Sequence, residues 1–287
     1  MHKSEMEKVI YIKKIAQLSN IEDNINRVYF GEEFCQWILP SLEDFKNARK
    51  ISEEKGINFT CVLPYFSESC INKLSEILKI LSNYTSCEVV INDWGSLYFI
   101  NKHFPEFKII LGRLLTKQRR GVPVISYDDI PLEGKKMLRT NCINSPYWIN
   151  FLNHFHIERA EIDNTHDLRE HNIDLPLKWS IYYPYGYITT TRLCFYNYGK
   201  NGWQREKRGG TTCSRSCLGK NIRLHYPSFD SEIYLLGNTQ IYKSKSLPSN
   251  LSKYGIDRII DNNKLLINVK CLNPNVKSMS KCQIIKA

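Results

Sequence analysis

The feature that most constrains this chain is the order of short apolar runs and helix-like stretches in its first part. Residues 8–12, 27–30, 58–63, 87–91 and 107–111 are runs of strand length, rich in Val, Ile, Leu, Phe and Tyr. Between them, 42–55, 67–84 and 95–103 have helical spacing, clearest where Ile71, Leu74, Ile77, Leu78 and Leu81 recur at three and four. Polar and apolar residues do not alternate within the runs, so each strand is expected to be buried on both faces. Strands of that kind, joined through helices, make a parallel sheet covered by helices.

The second half repeats the theme with interruptions. A helix is expected over 147–156, a strand over 158–162, a helix over 165–171 and a strand over 177–183. Residues 232–236 and 239–243 read as strands around a Gly237-Asn238 turn, and 257–260 and 265–269 as strand-like. A long polar stretch without periodicity, 196–221, lies between them, and loops of that length inside a domain are usually functional or disordered. Seven to nine strands, about one per repeat, predict an α/β fold: a TIM-like (β/α) barrel, complete or distorted, with a long cysteine-bearing loop. The expected organisation is one barrel domain over 1–265 and a C-terminal tail over 266–287.

No apolar run approaches the ~20 residues that span a bilayer; the stretch from Ile109 to Leu115 is broken by Gly112 and Arg113. Charges scattered through the first fourteen residues do not fit a signal peptide, so the chain is expected in the cytoplasm. That compartment decides how its ten cysteines are read, because thiols there are packing residues or metal ligands and not disulfides. Cys61 and Cys87 sit in apolar runs and read as core, while Cys70, Cys142, Cys271 and Cys282 stand alone among polar neighbours.

Cys194, Cys213 and Cys217 crowd the polar loop, with eighteen and then three residues between them. Core packing does not explain three thiols on an aperiodic loop. Soft thiolates suit an iron–sulfur cluster or zinc, and from spacing alone iron–sulfur, zinc and no metal all stay open. A fourth candidate, Cys35, follows an early strand. In a barrel the loops after the strands gather on one face, so it can meet the other three.

The run from Val28 to Cys35 (VYFGEEFC), the segment TRLC ending at Cys194, the Cys213/Cys217 pair and the segment from Glu232 to Gln240 (EIYLLGNTQ) resemble the peptidase U32 family. The similarity is strongest to its small branch related to the anaerobic ubiquinone-hydroxylation proteins, and it spans about Tyr11 to Ile260. The resemblance implies a TIM-like barrel holding a 4Fe-4S cluster on Cys35, Cys194, Cys213 and Cys217. It also implies an iron–sulfur oxidoreductase or hydroxylase subunit acting without molecular oxygen on a small molecule or tRNA, paired with a second, unlike subunit of the family. Peptidase members carry a Glu-x-Phe-x-x-Gly segment, whereas the corresponding stretch from Trp179 to Gly186 reads WSIYYPYG and lacks the acid. A U32-type peptidase and a zinc-holding RNA-binding or structural protein are the alternatives.

Neither a His-Glu-x-x-His helix nor a Gly-x-Ser-x-Gly elbow occurs, and His154 and His156, flanking Phe155, read as structural. Asp93, Arg113 and Tyr185 are the catalytic candidates. Asp93 follows a buried strand and could equally cap the next helix. Arg113, inside an apolar run, requires a carboxylate of the barrel or an anionic ligand. Tyr185 belongs with Tyr182, Tyr183 and Tyr187 to a group expected at the barrel mouth or as ordinary filling. The net charge of +11 gathers in Lys117, Arg119 and Arg120, and in Lys200, Arg205, Lys207, Arg208, Arg215, Lys220 and Arg223 around the cysteine loop. Such a setting fits an anionic cluster, an anionic small molecule, tRNA phosphates or a plain solvated surface.

Overall fold

The apolar runs become the staves of a closed barrel. The computed structural model describes residues 6–84, 87–118, 130–139, 141–143, 146–165, 176–192, 194–198, 213–224, 231–244 and 246–266. Its first seven strands are β1 (Glu7–Ile12), β2 (Arg27–Gly31), β3 (Asn58–Val62), β4 (Glu88–Ile91), β5 (Lys108–Leu111), β6 (Arg159–Asp163) and β7 (Lys178–Tyr183). The chain then leaves the barrel to form β8 (Tyr185–Thr190), β9 (Asn221–Leu224), β10 (Ile233–Leu236) and β11 (Thr239–Lys243). It returns as β12 (Ile256–Asp261), which pairs in parallel with both β1 and β7 and closes the ring of eight.

Helices α1 (Leu42–Glu54), α2 (Ile71–Leu81) and α3 (Trp94–His103) link successive strands from β2 to β5. Beyond β5 come α4 (Arg113–Thr116), α5 (Leu132–Arg139) and α6 (Pro146–His154), and α7 (Phe195–Tyr198) follows β8. Local chemistry fixes the ends. Ser41 and Asp44 cap α1 reciprocally, each side chain accepting from the other's backbone N–H at 3.1 and 3.0 Å. On α2 the buried residues are Leu74, Ile77, Leu78 and Leu81, the stripe its spacing predicts.

Two cores follow from the pleat. Outward-facing residues such as Phe30, Cys61, Val89 and Trp179 pack under the helices, and inward-facing Val9, Tyr11, Tyr29, Val62, Val90, Ile110, Tyr182 and Ile260 fill the barrel. The inner face also carries charge. At the amino end of the strands, Arg27 and Arg258 each pair with Glu7 and Glu88 at 2.6–3.1 Å.

Two expectations need correction. The strands around Gly237 do not belong to the barrel: β10 and β11 lie in a separate antiparallel sheet of order β8-β11-β10-β9. A two-residue turn joins antiparallel strands only, while a barrel stave must run parallel to its neighbours. Leu265, expected to begin a strand, sits in a 3-10 turn (Asn263–Leu266), entered where Asp261 Oδ1 accepts from Asn263 N at 2.8 Å. The expected helix over 165–171, the tail over 266–287 and Arg119, Arg120, Lys200, Arg205, Lys207 and Arg208 lie outside the described residues, apart from Thr165 and Leu266, the latter buried at the end of that turn. Among the described residues no helix is long and apolar enough to cross a membrane.

Candidate functional site

The loops leaving the carboxyl ends of β2 and β3 meet the excursion between β7 and β12 around a cavity of about 140 Å³. Cys35, Cys194, Cys213 and Cys217 all line it, together with Tyr65, Arg192 and Asn238. Cys35 arrives on the segment after β2, whose turn is set at Gly31. There φ is +140°, and a Cβ would collide with the Val62 carbonyl of the adjacent stave. Gln36 ties this segment to the one after β3, donating to Ser67 Oγ at 2.9 Å and accepting from Ser67 N at 2.8 Å.

Cys217 is brought in from the other side, under the β10–β11 turn. Gly237 has φ +59° and a Cβ position 3.5 Å from Cys217 Sγ. The next residue, Asn238, is buried, and its amide nitrogen lies 2.6 Å from the Phe34 carbonyl, 2.9 Å from the Thr191 carbonyl and 3.0 Å from Tyr65 Oη. An amide has two N–H groups, so the three acceptors compete, and the side chain fastens the segments that carry Cys35 and Cys194 to the hairpin.

The thiols feel one another. Burial, reinforced by the nearby Glu32 carboxylate, pushes Cys35 up to about 12. Burial also raises Cys217, and Cys194 and Cys213 add to the rise. Tyr196 is pushed up to about 12 by burial and then by Cys217 and Cys194. Four soft donors lining one cavity suit a positively charged guest, which binds thiolates and releases their protons. The cavity has about the liquid volume of five waters, larger than a single ion needs. Among the described residues no group of three or more His, Cys, Asp or Glu is arranged to hold a metal ion. Nor does any Asp, Glu or His line the described wall of the cavity. Arg192 is the cation there, with its guanidinium 5.2 Å from the centre of the Tyr65 ring.

None of Asp93, Arg113 and Tyr185 lines this cavity. Asp93 caps α3, accepting from Ser96 N at 2.7 Å and Ser96 Oγ at 2.6 Å, and it holds Phe66 N at 3.0 Å. Arg113 is fully buried in the upper barrel. It donates twice to Glu33 (2.6 and 2.8 Å) and once to Asp163 (2.6 Å), with its guanidinium 3.7 Å from the Tyr182 ring centre. Tyr185 packs with Phe34, Tyr187, Tyr234 and Ile241 in the layer between the barrel mouth and the small sheet. Glu33 and Asp163 are not among the expected site residues, and Asn238 reads in the sequence only as part of a turn. Glu33 adjoins the cysteine segment and Asp163 ends a strand, positions that in a barrel point to its working face.

The other described cysteines go elsewhere, Cys70 packing half-buried against the core, and Cys271 and Cys282 lie outside the described residues. Cys61 and Cys87 are in the core beneath the helices, and Cys142, exposed, donates to the Leu115 carbonyl at 3.2 Å.

No protein-family model matches the chain, and no protein of curated function matches it in sequence. Among solved structures it is similar to the U32 peptidase Mk0906, with 7% identity, 91% of this chain and 94% of that chain covered, and a TM-score of 0.49. It is also similar to N-(5'-phosphoribosyl)anthranilate isomerase from Pyrococcus furiosus, with 14% identity, 62% and 76% coverage and a TM-score of 0.39. A GH18 chitinase from Cycas revoluta shows 7% identity, 90% and 95% coverage and a TM-score of 0.38.

Proposed function

We propose that this chain is an iron–sulfur protein of the peptidase U32 kind, with a 4Fe-4S cluster on Cys35, Cys194, Cys213 and Cys217. The observation that carries this reading is that these four, and no other described cysteines, line one cavity beside the barrel mouth. A bound cluster supplies one-electron transfer or activation of an oxygen donor. The chain's own residues do the rest: Asn238 holds the ligating segments together, Gln36 fixes the Cys35 segment to the one after β3, and Arg192 and the exposed Arg215 offset the negative charge of a thiolate-bound cluster. The activity proposed is oxygen-independent hydroxylation, or a related modification, of a small molecule or tRNA, with a second, unlike subunit of the same family as partner. Peptidase chemistry finds no acid–base pair in the described wall of this cavity.

Anaerobic purification followed by visible absorption and iron, sulfide and zinc analysis tests the reading. The expected result is a brown protein with about four iron and four sulfide per chain. A colourless protein holding one zinc would overturn it. Cys213→Ala is expected to lose the iron and Cys61→Ala to keep it; equal iron in the two variants would refute this choice of ligands.

A further inference from the structure

A second cavity, about 240 Å³, shares Phe34, Ile38, Cys217, Gly237 and Asn238 with the cysteine cavity. Its remaining wall brings together Lys13 and Lys14 after β1, Lys220 before β9, and Lys264 after β12. Four amines face one carboxylate, Glu32, whose Oε2 pairs with Lys13 Nζ at 2.6 Å. Lys264 Nζ donates to the Gln17 carbonyl at 3.2 Å, a neutral acceptor that leaves its charge uncompensated. Among the described residues Lys14 and Lys220 make no ion pair with a carboxylate. Amines so placed repel one another, and an anion among them lowers the energy of all four. Phe34, Leu218, Leu236 and Leu265 supply an apolar side to the same cavity. The space equals about eight waters of liquid volume, room for a ligand of about ten non-hydrogen atoms.

We infer that this cavity binds a small organic anion, a carboxylate with a flat or compact apolar body. The lysines receive the charged end, and the apolar residues receive the body next to Cys217. Calling this anion the substrate rests on the proposed function; the binding site does not, because no residue of its lysine wall belongs to the cysteine set.

The probe is 4-fluorobenzoate, followed by ¹⁹F NMR titration against the full chain, with 4-fluorobenzamide as its uncharged counterpart and inorganic phosphate as competitor. Saturable binding of the benzoate is expected, at least tenfold tighter than the benzamide and little displaced by equimolar phosphate. Reversing two exposed charges together, Lys14→Glu and Lys220→Glu, is expected to weaken benzoate binding at least tenfold, whereas Lys79→Glu on α2 leaves it unchanged. Equal binding of benzoate and benzamide, undiminished binding by the double variant, or full displacement by equimolar phosphate would each overturn the inference. The same titration on Cys213→Ala separates the two readings. Benzoate binding retained there, alongside a wild-type protein without iron, leaves the anion site standing while the cluster falls. Iron-containing wild-type protein with no benzoate binding does the reverse.

Discussion

Arg113 shows what a single side chain does at the upper end of this barrel. Its guanidinium is wholly buried between Glu33 and Asp163 and lies on the face of Tyr182, so it has left water for fixed partners. Burial pushes the Glu33 carboxyl up, against the pull of Arg113, because one cation serves two acids. Removing the cation takes the guanidinium from two buried carboxylates. Arg113→Met is therefore expected to lower stability by about 3–5 kcal/mol in urea unfolding, and adding Glu33→Gln to recover part of the loss. A single variant within 1 kcal/mol of wild type would show that the ion pairs are not needed for folding. The need for a partner was readable from an arginine inside an apolar run. Which partner was not, because Glu33 and Asp163 lie 80 and 50 positions away and meet it only through barrel closure.

The β10–β11 hairpin works on the scale of one element. Its turn puts Gly237 against Cys217 and buries Asn238 among the carbonyls of the segments bearing Cys35 and Cys194. Asn238→Ala removes this donor from the Phe34 and Thr191 carbonyls, at a cost of about 1–3 kcal/mol. A fall in urea midpoint is expected together with lower iron content per folded chain. Iron unchanged in a destabilised variant would mean that the hairpin does not position the ligands. Elements of this kind divide what sequence can reveal. Strands β1 to β7 announce themselves through apolar runs, and the Gly-Asn turn announces its hairpin. Strands β8 and β9, Tyr185–Thr190 and Asn221–Leu224, are short and polar in part, and pairing with β11 and β10 makes them strands, not composition. The cysteine loop was visible as a cluster of thiols, but the lysines of the adjacent cavity come from three distant segments that only the fold assembles.

The whole molecule is organised along the barrel axis, with charged pairs at both ends and tyrosines between them. Apolar runs predicted a filled barrel, yet its filling includes Arg27, Glu88, Glu161 and Arg258, which a reading by hydropathy cannot assign inward without knowing their mates. Glu161 sits in the middle, fully buried, with Oε2 accepting from Tyr182 Oη at 2.9 Å. Burial first, and then the charge of Glu33, pushes it from 4.5 up to about 8. The folded protein thus keeps a proton there that the unfolded chain releases above 4.5. Stability from this group is complete below that pH, declines as pH rises, and is gone once pH passes about 8. At 1.36 kcal/mol per unit, the full swing is on the order of 5 kcal/mol. Glu88 acts in a different window. Burial alone would raise it, but Arg258 and Arg27 hold it below the usual range, so its contribution is present above 4.5 and lost only in more acidic solution. Glu161→Gln keeps a neutral acceptor for Tyr182 and removes the titration. The variant is expected to match wild type at pH 5 and to exceed it by several kcal/mol at pH 8 in urea unfolding. Parallel stability curves across that range would place the charge of Glu161 outside the energetics of the barrel.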